Sequence, residues 1–512
     1  MARRVLTPVG MRITIVLALL CLSVAHARAG AGSFTPKGPH DVGLHLVRQH
    51  DFTRAYRGKV DELTGQAVHG QRARPIQTLV WYPATPGGRP MTYRDYLRSR
   101  VTEQTFDLPD ARVAESVAIT AKDLAIRLGQ DQARTALSST MLATVDAPPA
   151  SGRFPVVIYA AGGGGTADEN VDLCEYLASH GYVVIASTSL GTHTKAIAYD
   201  LEDVEAQVGD IEFLIGYATT LPQADLAHLA VVGWSWGGMT NVFAAARDSR
   251  ITALISLDGT REPAFTKLIA PPRITVPWMY VARTPDTIPE LNRRGIDTSF
   301  SLLNEAKYAE LYQLTMYPMA HGDFTSARQR QSSPSDFTEY SKDEVAGAYS
   351  WVERYVLEFL DAYLKQDVAG LAFIRNAPAH NAVPAHVMLA ERHRADALPL
   401  DREAFAAAVA RRGFAHAFEA YQAARRRDAR FTLSEADLKA WGHGLLDRGH
   451  RREAIGIFIL WTTLHPDSWD AFDSLAGAYE QTKDTALAIT HYRRSLALNP
   501  KNDHGRQRLK AL

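Results

Sequence analysis

The chain has 512 residues, of which 46% are hydrophobic and 22% are charged. It is therefore long enough for more than one folded unit and too apolar for a disordered protein. Lys and Arg together number 56, as do Asp and Glu. This balance excludes a general electrostatic attraction to nucleic acid or to an anionic membrane surface, so any ligand must be recognised by local chemistry.

The first 29 residues have the features of a signal peptide. Arg3, Arg4 and Arg12 supply positive charge, and the apolar run 13–24 is too short to cross a bilayer easily. Small residues at positions 25–29 then offer cleavage sites. We expect an exported protein, periplasmic or secreted after cleavage of residues 1–29. An uncleaved membrane anchor is the alternative interpretation.

Residues 38–83 contain patterns typical of edge strands, of which 77–83 is the clearest. Residues 91–145 are polar and rich in helix-forming residues, with helices predicted over 112–128 and 131–142. We interpret residues 91–145 as a helical insertion in a catalytic domain. A lid over the site is one hypothesis for its role.

From residue 154 onward, short apolar strands alternate with helices. The predicted strands are 154–160, 182–187, 229–233, 251–257, 276–282 and 312–317, and the helices are 170–180, 201–219, 239–247 and 345–364. Such alternation is typical of a mostly parallel sheet with helices on both faces. It predicts an α/β catalytic domain over residues 38–367.

The composition changes after this domain. Residues 376–399 are rich in Ala, Pro and His without a sustained period. We predict a linker at 368–400, followed by a helical domain at 401–512. At an offset of 34 residues, three pairs of positions match: Ala454 and Ala488, Phe458 and Tyr492, Pro466 and Pro500. This pattern resembles the tetratricopeptide repeat. We predict repeats at about 435–468 and 469–502, with a degenerate third at 401–430.

The sharpest motif is Gly-Trp-Ser-Trp-Gly-Gly at residues 233–238, between a predicted strand and a predicted helix. A nucleophilic Ser must project from a tight strand-to-helix turn, which leaves no room for side chains two positions away on either side. The motif therefore predicts Ser235 as a nucleophile. The backbone N–H of Trp236, at the start of the helix, is a candidate donor to an oxyanion.

A second oxyanion donor is expected from the Gly-rich turn 162–165, because it follows an earlier strand of the sheet. Gly163 is the candidate by position. A nucleotide-binding loop is the rival interpretation. No Gly-Lys-Ser/Thr follows the turn, and Ala167 stands where the dinucleotide pattern needs its third Gly, so the residues do not support it.

The base must be a His downstream of the nucleophile, oriented by a carboxylate. His321 is the candidate, since it lies on a loop just after the strand 312–317. Asp258 ends the strand 251–257, and Asp286 follows the next strand. Spacing alone leaves these two acids open.

Six short segments together resemble the platelet-activating-factor acetylhydrolase group, which is related to the dienelactone hydrolases: 38–43, 80–83, 155–159, 177–182, 256–259 and 321–325. The resemblance covers roughly residues 38–365. It implies an α/β-hydrolase fold and a Ser235–Asp258–His321 triad, with Asp286 as the alternative acid. Members of the group often carry His where Ala161 stands, and this departure leaves the lipid substrate open.

The sequence thus predicts a carboxylic ester hydrolase that forms an acyl-enzyme and acts on a small-molecule or lipid ester. No cofactor or metal is expected, because no H-E-x-x-H motif or Cys–His cluster occurs. The repeats are expected to bind a protein partner or a second copy of the chain. Two alternatives remain, namely a peptidase or amidase with the same triad and a non-catalytic scaffold acting through the repeats.

Overall fold

The computed structural model describes residues 35–512 except 61–64, 260–261, 285–288, 290–291, 294, 296–298, 300 and 399. The predicted signal peptide 1–29 and the alternative acid Asp286 lie outside the described residues. The chain divides into two compact units between Ala395 and Asp396. Within these described ranges, no helix has both the length and the apolar character needed to span a membrane.

A single sheet of 11 strands runs through the first unit. Its strands are β1 Asp41–Ala55, β2 Ala73–Ala84, β3 Arg89–Thr92, β4 Thr140–Val145, β5 Phe154–Ala160, β6 Val183–Ser187, β7 Ala224–Trp234, β8 Ile251–Leu257, β9 Trp278–Arg283, β10 Leu311–Met316 and β11 Met388–His393. They are ordered β11-β10-β9-β8-β7-β5-β6-β2-β1-β4-β3. Neighbours from β6 to β10 are parallel, whereas β2 is antiparallel to both β6 and β1.

Helices cover both faces of this sheet. Among the described residues of the first unit, the α-helices are α1 Tyr93–Arg100, α2 Asp110–Leu128, α3 Gln130–Ser138, α4 Val171–Ser179, α5 Leu201–Ala218, α6 Trp236–Arg247, α7 Glu262–Phe265, α8 Leu302–Glu305, α9 Ser326–Gln331, α10 Lys342–Leu364 and α11 Val368–Arg375. Val157 of β5 is buried with α4 and α10, and Val156 is buried with α5 and α6, because successive strand residues point to opposite faces. This is the α/β-hydrolase fold, as the sequence predicts.

The N-terminal part of the unit differs from the sequence prediction in two places. β2 is not an edge strand, because it lies between β1 and β6 and is buried along nearly its whole length. The predicted helix 131–142 ends at Ser138, since β4 pairs with β1 and β3 and extends the sheet. Both differences arise from strand pairing between distant segments, which local patterns do not report.

The predicted linker 368–400 is largely part of the first unit. α11 follows α10 directly, and β11 pairs antiparallel with β10 along the edge of the sheet. Val383, Val387 and Met388 are buried in the same core as β5 and α10. The Ala- and Pro-rich composition concealed these elements, because an edge strand six residues long carries only a weak periodic signal.

The second unit is helical, as predicted. Its helices are α12 Arg402–Arg412, α13 Ala417–Arg427, α14 Glu435–Asp447, α15 Arg451–Leu464, α16 Trp469–Gln481, α17 Thr485–Leu498 and α18 Asp503–Ala511. α16 and α17 start 34 residues after α14 and α15, so each predicted repeat holds one helix pair. A Cβ on Gly442 of α14 would lie 2.2 Å from the Phe458 ring of α15, so the paired helices contact each other through a small residue.

Candidate active site

Ser235 lies in the turn between β7 and α6. Its φ of +53° and ψ of −115° are unfavourable for a residue with a side chain. Backbone hydrogen bonds maintain this conformation, from the Ser235 N–H to the Leu257 carbonyl at 2.9 Å and from the Met239 N–H to the Ser235 carbonyl at 3.1 Å. The strained turn directs the Ser235 side chain away from the sheet and the helix.

The glycines two positions from Ser235 are required by close backbone packing. A Cβ on Gly237 would lie 2.1 Å from the Ala160 carbonyl oxygen, and a Cβ on Gly233 would lie 2.6 Å from the carbonyl carbon of Gly237. No real Cβ approaches other atoms so closely. The turn therefore brings the end of β5 into direct contact with α6, and side chains are excluded at both glycines, as the sequence motif predicts.

Gly237→Ala is expected to lower the free energy of unfolding by about 3 kcal/mol, because its methyl group must displace the backbone of β5. The matched control is Gly216→Ala in α5, where an added Cβ meets no atom within 4 Å. That change is expected to raise stability by up to about 1 kcal/mol. Urea titrations of both variants measure the difference, and equal effects would contradict the packing argument.

The structure brings Ser235, His321 and Asp258 together in one hydrogen-bonded row. Ser235 Oγ lies 2.9 Å from His321 Nε2, and His321 Nδ1 lies 2.5 Å from Asp258 Oδ2. With its proton on Nδ1, the imidazole donates to Asp258 and accepts from the Ser235 hydroxyl. Asp258 is fully buried at the end of β8. Of the two acids left open by spacing, it is the one within the described residues, and it contacts His321.

Asp258 is fixed by its backbone as well as by its side chain. Its φ is +46°, and its N–H donates to the Val281 carbonyl of β9 at 2.6 Å. Arg283 Nε lies 3.5 Å from Asp258 Oδ2, whereas Oδ1 has no hydrogen-bond partner in the part of the chain that is described. The polar contacts of the carboxylate are thus made by Oδ2, to His321 at 2.5 Å and to Arg283 at 3.5 Å.

Two side chains hold the His321 loop. The Trp234 indole N–H donates to the His321 carbonyl at 2.8 Å, and the two ring centroids are 5.0 Å apart. Asp323 accepts from the Ala320 N–H at 2.8 Å, and burial raises the pKa of its carboxyl group. Sequence reasoning missed both roles. For Trp234, the one feature of the sequence that could have indicated this role is its position next to the nucleophile.

One tyrosine contacts both residues that carry the candidate oxyanion donors. A Cβ on Gly163 would be 2.8 Å from the Tyr199 ring, and that ring packs edge-on against Trp236 with centroids 5.3 Å apart. Among the described residues, the backbone N–H groups of Gly163 and Trp236 have no hydrogen-bond partner. The Trp236 indole is fully buried and also packs edge-on against Phe265.

Tyr199 is held over Gly163 by the start of α5. Its φ is +60°, and its N–H donates to Asp203 Oδ2 at 3.2 Å. The other Asp203 oxygen accepts from the Thr192 N–H at 2.8 Å. Arg74 donates to two carbonyls at the beginning of the same loop, at 2.8 and 2.9 Å. No sequence motif marked Tyr199, because its role depends on this loop conformation.

The insertion at 91–145 contacts the segment that follows the Gly-rich turn. Arg100 at the end of α1 is paired with Asp168, and Glu103 accepts from the Ala167 N–H at 3.4 Å. In the described part of the chain, no hydrogen bond or ring contact joins the insertion to Ser235 or His321. The lid hypothesis stays a prediction.

Comparison with protein families gives a partial match. The chlorophyllase family model matches residues 113–277. This segment contains Gly163, Ser235 and Asp258 and ends before His321. The match therefore covers the strand-to-helix turn and the proposed acid, but less than half of the chain.

Comparison with solved structures finds similar chains, among them a ferulic acid esterase from Streptomyces cinnamoneus. It is 19% identical, with a TM-score of 0.47, and the alignment covers 69% of this chain and 98% of the esterase. The search of curated proteins found no match.

Proposed function

We propose that this protein is an exported serine hydrolase that cleaves carboxylic esters through an acyl-enzyme on Ser235. The observation that carries the proposal is the hydrogen-bonded row from Ser235 through His321 to Asp258, with distances of 2.9 and 2.5 Å. A serine hydroxyl is a weak nucleophile alone, and a neighbouring base oriented by a carboxylate activates it.

The row assigns a role to each residue. His321 Nε2 takes the Oγ proton as Ser235 attacks the ester carbonyl carbon, and Asp258 stabilises the resulting imidazolium. Collapse of the tetrahedral intermediate breaks the ester C–O bond, and His321 gives the proton to the leaving alcohol. A water molecule, deprotonated by His321, then attacks the acyl-enzyme. The carboxylic acid leaves and the Ser235 hydroxyl is restored.

The oxyanion of each tetrahedral intermediate is bound by the backbone N–H groups of Gly163 and Trp236. Trp236 follows Ser235 directly, Gly163 lies in the turn after β5, and both N–H groups lack partners within the described chain. The N-terminus of α6 adds a positive partial charge at the same place. Donors that are already in position need no rearrangement as negative charge develops on the oxygen. Their stabilisation of the transition state is therefore large in acyl transfer.

An ester is preferred over an amide as the substrate because the chlorophyllase match supports an ester hydrolase. The resemblance of the sequence to acetylhydrolases points the same way. The triad itself serves ester and amide cleavage alike, so the geometry does not decide between them.

Export and the role of the second unit are further parts of the proposal. Export rests on the composition of residues 1–29. The helix pairs at 435–464 and 469–498 act as tetratricopeptide repeats that dock a protein partner or a second copy. Their spacing of 34 residues and the contact of Gly442 with Phe458 support this role.

The test compares p-nitrophenyl esters, with acyl chains of two to twelve carbons, against p-nitroanilides of the same acyl groups. We expect the purified protein to hydrolyse the esters much faster than the anilides. A fluorophosphonate probe is expected to label it stoichiometrically, with the label on the Ser235 peptide in mass spectrometry. The chain-length profile then measures the size of the acyl pocket.

Equal rates on esters and anilides would favour the amidase alternative. Absence of both hydrolysis and labelling in the folded protein would favour a scaffold and contradict the proposal.

A further inference from the structure

The turn that carries the proposed oxyanion donor is built around a buried carboxyl group. Glu169 Oε1 accepts hydrogen bonds from the Gly162 N–H at 2.9 Å and from the Tyr159 hydroxyl at 3.0 Å. Its other oxygen, Oε2, lies against Gly165, where an added Cβ would be 2.0 Å away. The side chain therefore fills the inside of the turn and touches both of its ends.

This contact limits which amides of the turn are available to a substrate. Gly162 donates its N–H to Glu169, and Gly165 donates its own to the Gly162 carbonyl at 2.8 Å. Among the described residues the N–H groups of Gly163 and Gly164, which lie between them, remain for a ligand, and Gly163 is the candidate donor. Added Cβ atoms on Gly162 and Gly163 would lie 2.4 and 2.8 Å from the rings of Trp234 and Tyr199. A shift of Glu169 would thus move the donor within a closely packed site.

The groups that face Glu169 do not neutralise a negative charge on it. Tyr159 of β5 and Cys174 of α4 are uncharged, because burial raises the pKa of each well above its usual value. Arg100 of α1 is the cation that acts on Glu169, but its Nε lies 2.7 and 2.8 Å from the two oxygens of Asp168. Its charge is already matched by that carboxylate, and the Asp168 charge itself opposes ionisation of Glu169.

Another buried acid, Glu103, contacts the segment just before Asp168. It accepts from the Ala167 N–H, and Lys195 Nζ is 3.5 Å from its second oxygen. Burial raises the pKa of Glu103 to about 7 and the pKa of Glu169 to about 8. At neutral pH Glu169 is therefore mostly a neutral acid, whereas Glu103 contacts the chain after the turn and has a cation beside it.

We propose that Glu169 is a positioning residue for the oxyanion site, holding the turn as a neutral acid and weakening the site when it ionises. The inference rests on the proposed function. Both hydrogen bonds go to Oε1, which leaves Oε2 to carry the proton. Loss of that proton places a negative charge inside the turn, next to the candidate oxyanion donor. There it opposes the negative charge that develops on the substrate oxygen.

The test compares pH profiles of kcat for ester hydrolysis in wild type, Glu169→Gln and Glu169→Ala. Gln has the shape of the neutral acid and can still accept both hydrogen bonds. We expect Glu169→Gln to keep kcat within about twofold of wild type near pH 6.5 and to remove an alkaline decline of about fivefold or more in wild type. Glu169→Ala is expected to lower kcat by about 10- to 100-fold, with a smaller change in KM.

Glu103→Gln is the matched control, since it removes a buried acid that does not contact Gly162. It is expected to keep the wild-type alkaline decline. The proposal would be overturned if Glu169→Gln kept that decline, or if Glu169→Ala were as active as wild type.

A measurement without substrate separates this proposal from the proposed function. In the unfolded chain the Glu169 carboxyl ionises near its usual pKa of 4.5, but in the folded chain only near 8. Rising pH between these values therefore favours unfolding of wild type. We therefore expect the unfolding temperature of Glu169→Gln, minus that of wild type, to increase steadily from about pH 5 to about pH 8.

If wild type neither cleaved esters nor labelled at Ser235, the proposed function would fail. The unfolding temperatures would still decide whether Glu169 is neutral in the folded protein. A constant difference between wild type and Glu169→Gln from about pH 5 to about pH 8 would show that it is not.

Discussion

Ser235→Ala is expected to lower kcat/KM for ester hydrolysis by about 10⁴- to 10⁶-fold. The hydroxyl that attacks the carbonyl is lost, and what remains is the effect of binding and of the oxyanion donors. The backbone at this position already carries the strain of a positive φ, which Ala shares with Ser. We therefore expect circular dichroism and the unfolding temperature to stay close to those of wild type. Steady-state kinetics with a p-nitrophenyl ester measures the loss.

Ser189→Ala is the matched control for this change. Ser189 is buried, and its hydroxyl has no hydrogen-bond partner in the described chain, so its removal should leave kcat/KM near the wild-type value. Retention of wild-type activity by Ser235→Ala would show that another group is the nucleophile.

Asp258→Asn is expected to lower kcat/KM by about 10⁴-fold with little loss of stability. The amide group of Asn can donate to His321 Nδ1, which places the imidazole proton on Nε2. In that tautomer Nε2 cannot accept the proton of Ser235. Asn tolerates the φ of +46° at this position, so the backbone can remain in place. Kinetics and fluorophosphonate labelling rates, measured side by side, test the loss of nucleophile activation.

Asp286→Asn serves as the comparison, because spacing in the sequence offered Asp286 as the alternative acid. We expect it to retain most of the wild-type kcat/KM. A large loss in Asp286→Asn together with a small one in Asp258→Asn would make Asp286 the acid and would contradict the role proposed for Asp258.

The parts of the site that sequence reasoning could predict are those encoded within a few neighbouring residues. The turn around Ser235 is one, because backbone packing excludes side chains at Gly233 and Gly237, and that exclusion is visible in the motif itself. His321 could be placed by its position after a strand. Asp258 needed the resemblance to a known group, since two acids fit the spacing equally well.

The remaining parts of the site depend on contacts between distant segments. Trp234 bonds to a carbonyl 87 positions away, and Tyr199 reaches Gly163 only through the loop before α5. Glu169 lies near the Gly-rich turn in sequence, but its role depends on its carboxyl group folding back to Gly162. The same limit explains why the sequence analysis missed two strands of the sheet. β4 and β11 are short, and their pairing with distant strands defines them.

The pairing of β11 with β10 determines where the chain can be cut. A protein shortened at Asp367, the predicted end of the catalytic domain, would lose α11 and β11 and would leave the backbone donors and acceptors of β10 open along one edge. Such an edge is a template for strands of other molecules and promotes aggregation. In the full chain β11 carries Glu391 and Arg392 on this edge of the sheet, and charged side chains on an edge strand discourage further pairing. The separable boundary therefore lies after His393.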